Sequence, residues 1–294
     1  MFAISKTGRG TSRLAAIAIV ALAGTAGPAV AQDKAERVLS IGGAVTEIIY
    51  ALGEEDRLIG RDSTSSYPEA AVALPDVGYM RALAPEGVLS IKPDLILARE
   101  GSGPPEAIDV IRSAGIPFVD VPEDFTAEGI GEAVDAVADA LDVEEKGEAL
   151  RAEISVQMDR LADTVSQIDA KKRVLFILSM QDGRIMASGT GTAANGIIEL
   201  AGAENAIVDY EGYKQLTDEA IITLNPDVIL MMDREGELDT PPETVLVHPA
   251  IATTQAAKDK ALIRMDGLYL LGFGPRTASA ALDLAKALYG DDIH

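Results

Sequence analysis

The sequence predicts an α/β protein of two similar lobes with mostly parallel sheets, joined by one long α-helix, with the cleft between the lobes as the natural binding site. Three observations carry that prediction. Short apolar runs alternate with helical segments along most of the chain, four sequence blocks recur in the same order in its two halves, and an amphipathic stretch lies between them.

The first copy of the repeat reads Arg37-Val38-Leu39-Ser40-Ile41, Ile48-Ile49-Tyr50-Ala51-Leu52-Gly53, Leu83-Ala84-Pro85-Glu86 and Ile91-Lys92-Pro93-Asp94-Leu95-Ile96-Leu97. The second reads Arg173-Val174-Leu175-Phe176-Ile177, Ile197-Ile198-Glu199-Leu200-Ala201-Gly202, Leu216-Thr217-Asp218-Glu219 and Leu224-Asn225-Pro226-Asp227-Val228-Ile229-Leu230. One such match arises easily by chance, but four in order mark two equivalent lobes. Between them Leu150, Ile154, Met158, Leu161, Val165 and Ile168 recur at spacings of four and three, one stripe of a helix. That helix is expected from Asp142, as N-cap, to about Ala170. Glu144 and Glu145 suit its positive end, and Lys171, Lys172 and Arg173 follow its other end. A helix of about 25 residues is roughly 37 Å long, a bar that would hold two lobes at a nearly fixed separation. The expected division is residues 1–31 as a removed leader, 32–141 as the first lobe, 142–170 as the helix and 171–294 as the second lobe.

Taken in order, Arg37–Ile41 is a buried strand that turns at Gly42-Gly43 into a helix, Thr46–Leu52, ended by Gly53. Leu58-Ile59-Gly60 is the next strand, and a long polar connection runs from Arg61 to Asp76. A helix begins with Pro85 at its first position and Ala84 as formal cap. Pro93 opens a strand, Asp94–Ala98. The loop Gly101-Ser102-Gly103-Pro104-Pro105 leads to a helix ending near Gly115, Ile116–Val121 is a further strand, and Ala127–Leu141 is a helix leading into the bar. In the second half Asp182-Gly183 signals a hairpin within an insertion, Met180–Ala194. Gly274-Pro275-Arg276 opens a closing helix, Thr277–Leu288.

Composition sets the address. Lys6, Arg9 and Arg13 precede a short apolar stretch, Leu14 to Ala26, and Ala29-Val30-Ala31 fits a small-x-small cleavage site, so the mature chain is expected to begin near Gln32. With no Cys in the sequence there is no N-terminal Cys to carry a lipid. The expectation is a secreted chain without a lipid anchor, in the periplasm of a double-membraned bacterium. Losing residues 1–31 moves the formal net charge from −22 to −25, which argues against nucleic acid and suits docking on a basic partner. A hydrophobic content of 48% is ample for two cores.

The chemistry is sparse. The chain has no Cys and no Gly-x-Ser-x-Gly elbow, and its two His are the terminal His294 and a turn-like His248 before Pro249. That shortage also argues against a zinc carrier, which needs several imidazoles. Gly189-Thr190-Gly191 with Gly196 has the wrong spacing for a dinucleotide loop and reads as a turn lining the cleft. Gly78-Tyr79-Met80-Arg81 carries more. Tyr79 lies in a loop before a helix, on the side where such sheets place ligands, and Arg81 is two residues away. A neighbouring guanidinium favours phenolate over phenol, and a phenolate is a hard anionic ligand suited to ferric iron. The alternative is a Tyr covering the core beside a surface Arg.

The run Leu74-Pro75-Asp76-Val77-Gly78-Tyr79-Met80-Arg81, the loop Glu100-Gly101-Ser102-Gly103-Pro104-Pro105, the segment Gly212-Tyr213-Lys214-Gln215-Leu216 and the tail Leu270-Leu271-Gly272-Phe273-Gly274-Pro275-Arg276-Thr277 resemble the periplasmic haem-binding proteins of bacterial haem ABC importers. The Pro-Asp strand starts are shared with the wider group that carries cobalamin and ferric siderophores. The resemblance implies a non-enzymatic carrier of one haem b, a transported ligand and not a catalytic cofactor. It implies iron held by Tyr79, with Arg81 hydrogen-bonding the phenolate oxygen. Gly101, Ser102, Met180, Tyr213, Phe273 and Arg276 are the pocket candidates, with Arg276 and the Gly101–Gly103 loop as candidates for the propionates. Some relatives add a second-lobe His, where this sequence has Ser179-Met180-Gln181. Met180 is then either a thioether ligand or, as expected here, a packing side chain. The implied partners are the dimeric inner-membrane permease, docked through one acidic residue per lobe, Glu86 and Glu219, and an outer-membrane haem receptor upstream. The other readings are a ferric-siderophore or cobalamin carrier and, from a different class, a periplasmic α/β enzyme.

Overall fold

The computed structural model describes residues 34–233, 240–290 and 293. The expected leader, the start near Gln32 and His294 lie outside the described residues. The first half contains β1 (Val38–Ile41), α1 (Gly43–Ala51), β2 (Leu58–Arg61), α2 (Pro85–Ser90), β3 (Leu95–Arg99), α3 (Pro105–Ser113), β4 (Phe118–Val121) and α4 (Ala127–Ala140). The helix α5 (Glu144–Val165) follows. The second half contains β5 (Arg173–Gln181), β6 (Arg184–Ser188), α6 (Ala193–Leu200), β7 (Glu204–Asn205), β8 (Tyr213–Leu216), α7 (Asp218–Leu224), β9 (Val228–Met232), α8 (Pro242–Leu246), α9 (Gln255–Lys258), β10 (Leu262–Met265), α10 (Gly267–Leu271) and α11 (Thr277–Tyr289).

Two sheets form, as the alternation of strands and helices requires. The first has the order β2-β1-β3-β4 and is parallel throughout. The second has the order β10-β9-β5-β6-β8, with β7 also on β5. Its β10, β9 and β5 run parallel, but β6 and β8 are antiparallel, so this sheet is mixed. The antiparallel part begins at the predicted hairpin, where Asp182 and Gly183 take φ of 51° and 73°.

The repeat has a physical basis. Val38 pairs with Leu95 in the first sheet, and Val174 with Val228 in the second, so the matching strands share one register. Each Pro-Asp strand start clasps the start of its neighbour. The Asp94 carboxylate accepts from the backbone N–H of Glu36 and Arg37, and the Asp227 carboxylate accepts from that of Arg173 at 2.8 Å. Arg37 then donates to the carbonyls of Ile91 and Lys92 at the end of α2, and Arg173 to that of Leu224 at the end of α7. These are the orphan acceptors at a helix C-terminus. Before each proline the chain turns through a left-handed residue, Lys92 at φ 54° and Asn225 at φ 41°.

The bar is shorter than expected. Asp142 is left-handed at φ 55° and Val143 occupies the cap position, while the last helical residue is Val165. Its 22 residues span about 33 Å. Beyond that end the stripe still serves: Val165 and Ile168 lie against Gly202, whose φ of 74° and missing side chain leave them room. Ile154, Met158 and Leu161 are buried in one cluster with Val38 and Ile48 of the first half and Val174, Phe176 and Leu284 of the second. Truncating this seam should therefore be costly. Ile154→Ala or Leu161→Ala is expected to lower unfolding free energy by about 2–5 kcal/mol, whereas Val156→Ala on the outer face of α5, 48% exposed, should change it by less than about 0.5 kcal/mol. Urea denaturation checks both.

Candidate ligand-binding cleft

Because the strands of the first sheet are parallel, the turns after β1, β2, β3 and β4 gather on one side, where open α/β sheets bind ligands. Elements of the second half face that side. Leu268 of α10 lies over Gly43, Gly274 lies against Ala44, and Phe125, just ahead of α4, meets Phe273 edge-on with ring centres 5.3 Å apart.

The loop after β2 is organised by Asp62, which is fully buried. Its carboxylate accepts from the backbone N–H of Gly42, Thr64 and Met80 and from the hydroxyls of Thr64 and Ser65. Hydroxyl contacts continue from Ser65 through Thr46 to Ser40 in β1. A buried carboxylate is tolerated when its lone pairs are met in this way. Asp62 thus fastens the turn after β1, its own turn and the segment Gly78-Tyr79-Met80-Arg81 to one another.

That segment alternates in burial. Val77, Met80 and Leu83 sink into the first lobe's outer core, while Gly78, at φ 100°, turns the chain between them. Tyr79 is left 49% exposed, and Arg81 is exposed as well. Neither side chain has a hydrogen-bond or ion-pair partner among the described residues. The segment is rigid nonetheless: Ser63 donates to the Gly78 carbonyl at 2.9 Å, Gly78 to Asp76 at 2.8 Å, and Gly103 to the Met80 carbonyl at 2.8 Å.

Behind it Arg99 pairs with Glu123 at 2.6 Å. Burial lowers the Arg99 pKa; Glu123 opposes that shift and Arg81 adds to it. Tyr213, at the start of β8, stands across the cleft. Burial raises its pKa, while the Thr192 and Ser188 hydroxyls and the charge of Arg81 pull it down. Arg81 of the first lobe and Tyr213 of the second are therefore within electrostatic reach of each other.

Arg276, a predicted pocket residue, binds Glu47 through two hydrogen bonds of 2.8 and 2.6 Å. Burial raises the Glu47 pKa above its ordinary 4.5, and Arg276 offsets only part of that; the more exposed Arg276 is itself raised by Glu47, against its own burial. Met180 is partly buried against the core of the second sheet, and Phe273 is buried at the junction of the lobes. Gly101 is exposed, and Ser102 donates to the Arg99 carbonyl at 2.6 Å. Glu86 and Glu219 are exposed in the first turns of α2 and α7, equivalent places in the repeat. His248 is structural: its ring contacts the Gly183 carbonyl at the hairpin turn. Sequence reasoning missed Asp62, Arg99, Glu123, Glu47 and Tyr67. The run Asp62-Ser63-Thr64-Ser65-Ser66 was the available signal, since an Asp followed by hydroxyl residues builds local hydrogen-bonded turns.

The sequence profile described as "Periplasmic binding protein" matches residues 38–268. Among solved structures, the chain is similar to the periplasmic heme-binding protein BhuT in complex with two hemes, with a TM-score of 0.82, 37% identity, and coverage of 86% of this chain and 97% of that one. It is also similar to the periplasmic heme-binding protein RhuT from Roseiflexus sp. RS-1 in apo form, with a TM-score of 0.82, 36% identity, and coverage of 86% and 98%. A vitamin B12-binding protein of Yersinia pestis is 28% identical over 70% of this chain and 72% of its own length.

The Glu47 carboxyl has a measurable signature. A carboxyl whose folded pKa is raised holds its proton more tightly when folded, so its contribution to stability falls as pH rises from the ordinary value through the folded one. Between pH of about 4.5 and neutral, the thermal midpoint of the wild type should therefore decline relative to that of Glu47→Gln. A relative rise would contradict the burial assigned to Glu47.

Proposed function

The chain belongs to the periplasmic binding protein family, and from that premise we propose that it carries one haem b in the inter-lobe cleft, with the ferric iron held by Tyr79, and hands it to an inner-membrane ABC permease. The family and the structural neighbours are substrate-binding proteins, not enzymes. The observation that carries the reading is the exposed phenol of Tyr79, two residues from the guanidinium of Arg81, both without a hydrogen-bond or ion-pair partner among the described residues, on a segment fastened by Asp62. The heme-binding neighbours support the choice of ligand.

Tyr79 must give up its proton to bind ferric iron well. Iron takes that oxygen as a phenolate, and the charge of Arg81 stabilises the anion that results. Fixing the loop beforehand spares the ordering cost that a floppy ligand would incur on binding. The inter-lobe wall around Tyr213 closes over the other face of the macrocycle. Glu86 and Glu219 would each meet a basic residue of the permease, one per lobe. Periplasmic location follows from the family. Cleavage near Gln32, the missing lipid anchor and an outer-membrane receptor upstream belong to the proposal.

Hemin titration followed at the Soret band tests the reading. Tyr79→Phe keeps the ring and removes the oxygen, so it should abolish the ferric tyrosinate spectrum. Arg81→Ala should retain that spectrum with affinity lowered by about 10–100-fold, the usual effect of losing a residue that supports a metal ligand. Met180→Ala should leave the spectrum unchanged. An unaltered spectrum in Tyr79→Phe would move the ligand elsewhere, and saturable binding of cyanocobalamin with no response to hemin would favour a corrinoid carrier. For docking, Glu86→Lys together with Glu219→Lys should leave hemin affinity intact and reduce uptake by cells that carry the permease; unchanged uptake would remove the assignment.

A further inference from the structure

One edge of the cleft carries a tie between the two lobes. Arg276 precedes α11, and its Nε and Nη2 donate to Glu47 Oε2 and Oε1 of first-lobe helix α1 at 2.8 and 2.6 Å. The same guanidinium carbon lies 3.6 Å from the ring centre of Tyr67, on the connection after β2, and 5.0 Å from that of Tyr269 in α10. Tyr269 is held in turn by its hydroxyl, which donates to Asp283 of α11 at 2.9 Å. Ser66, Tyr67, Asp266, Tyr269 and Arg276 line a hollow of about 310 Å³ beside the tie. These groups follow the edge strand β2 of the first sheet and the edge strand β10 of the second.

The tie differs from a surface ion pair. The Glu47 side chain is 5% exposed and both of its oxygens are engaged by one guanidinium. A bidentate pair of this kind is directional as well as strong, and the aromatic faces add a cation–π attraction. Parting the lobes at this edge would break both hydrogen bonds and separate the guanidinium from the Tyr67 ring together.

We propose that Arg276 is a specificity-determining residue, a strut that fixes the width of the cleft so that it admits one flat macrocycle and turns away a second one or a bulky, folded metallo-ligand such as a corrinoid. Tyr67 and Tyr269 belong to opposite lobes and lie against one guanidinium, so the walls here stand no farther apart than that group bridges. The seam along α5 holds the lobes at one place and the strut at another, and a cleft pinned twice has a set width. A thick ligand must break the pair, whereas a flat one leaves it whole. The ligand class named here rests on the haem reading, but the strut does not.

The chain has no Cys, so Val110→Cys in α3 and Ile222→Cys in α7, both at exposed positions, give one spin-labelled pair across the lobes of the mature protein. Without ligand, pulsed dipolar spectroscopy should show one narrow distance distribution. It should broaden toward longer distances in Arg276→Gln and in Tyr67→Ala, with Arg276→Lys between, because Lys keeps the charge without the fork. Tyr67 is exposed, so its variant serves even if Arg276→Gln does not fold. Distributions in both variants that superimpose on the parent would overturn the strut. In titrations the parent should saturate at one hemin, and Arg276→Gln should shift the ratio of hemin to cyanocobalamin affinity toward cobalamin by about tenfold or more. Broadened distances with an unchanged ratio would overturn the specificity role. A parent that ignores hemin while its variants still broaden would sink the haem reading and leave the strut standing.

Discussion

Everything in this molecule rests on the apolar seam along one face of α5. Ile154, Met158 and Leu161 have no core of their own; they complete one that already contains β1 and α1 from one side and β5 and α11 from the other. Apolar burial is non-directional and scales with area. Its effect here is mechanical, because swinging either half away from α5 would expose the face that α5 covers. Two lobes that would otherwise be independent domains are thus made into parts of one body, and the cleft between them inherits that stiffness.

On this shared base the duplicated scaffold carries two unlike walls. The β1–β3 and β5–β9 pairs match in register, in their aspartate clasps and in their helix-capping arginines. The divergence lies in the connections at the C-terminal ends of the strands. The first half puts the Asp62 turn and the Tyr79 loop there, whereas the second extends β5 into a hairpin and uses it to present Ser188, Thr192 and Tyr213. Parallel strands make this possible, since their ends can change while the sheet beneath does not.

Much of this was legible in the residues. The four strands of the first half, the helices around Pro85 and Pro105, the Asp182-Gly183 hairpin and the α5 stripe announce themselves through period, proline position and turn chemistry, whereas the short strands β7, β8 and β10 do not. The ends of α5 differ from expectation because Asp142 is a good cap by type but takes a left-handed conformation here, and because Val165 and Ile168 can both reach the core with a turn between them. At the cleft, Tyr79 and Arg81 stand out as a Tyr-x-Arg pair in a loop ahead of a helix, and the structure leaves both exposed on a segment whose Val77 and Met80 are buried. Glu47 does not stand out. It sits on a helix whose pattern says nothing of an arginine 229 residues away, and long-range ion pairs leave no periodic mark in a sequence.

The two aspartate clasps also bear on how the chain avoids folding wrongly. Asp94 reaches back 57 residues to Arg37, and Asp227 reaches back 54 residues to Arg173. Because the copies share register and chemistry, β1 could in principle accept β9, and β5 could accept β3, giving compact but entangled products. Loop closure favours the nearer partner only weakly, since its entropic cost grows slowly with length. Order of appearance does more. As the chain emerges from its N-terminus, Asp94 finds Arg37 before the competing strands exist, and by the time β5 and β9 arrive the first pair is no longer available. A circular rearrangement that presented β9 ahead of β3 would keep every native contact and forfeit that protection.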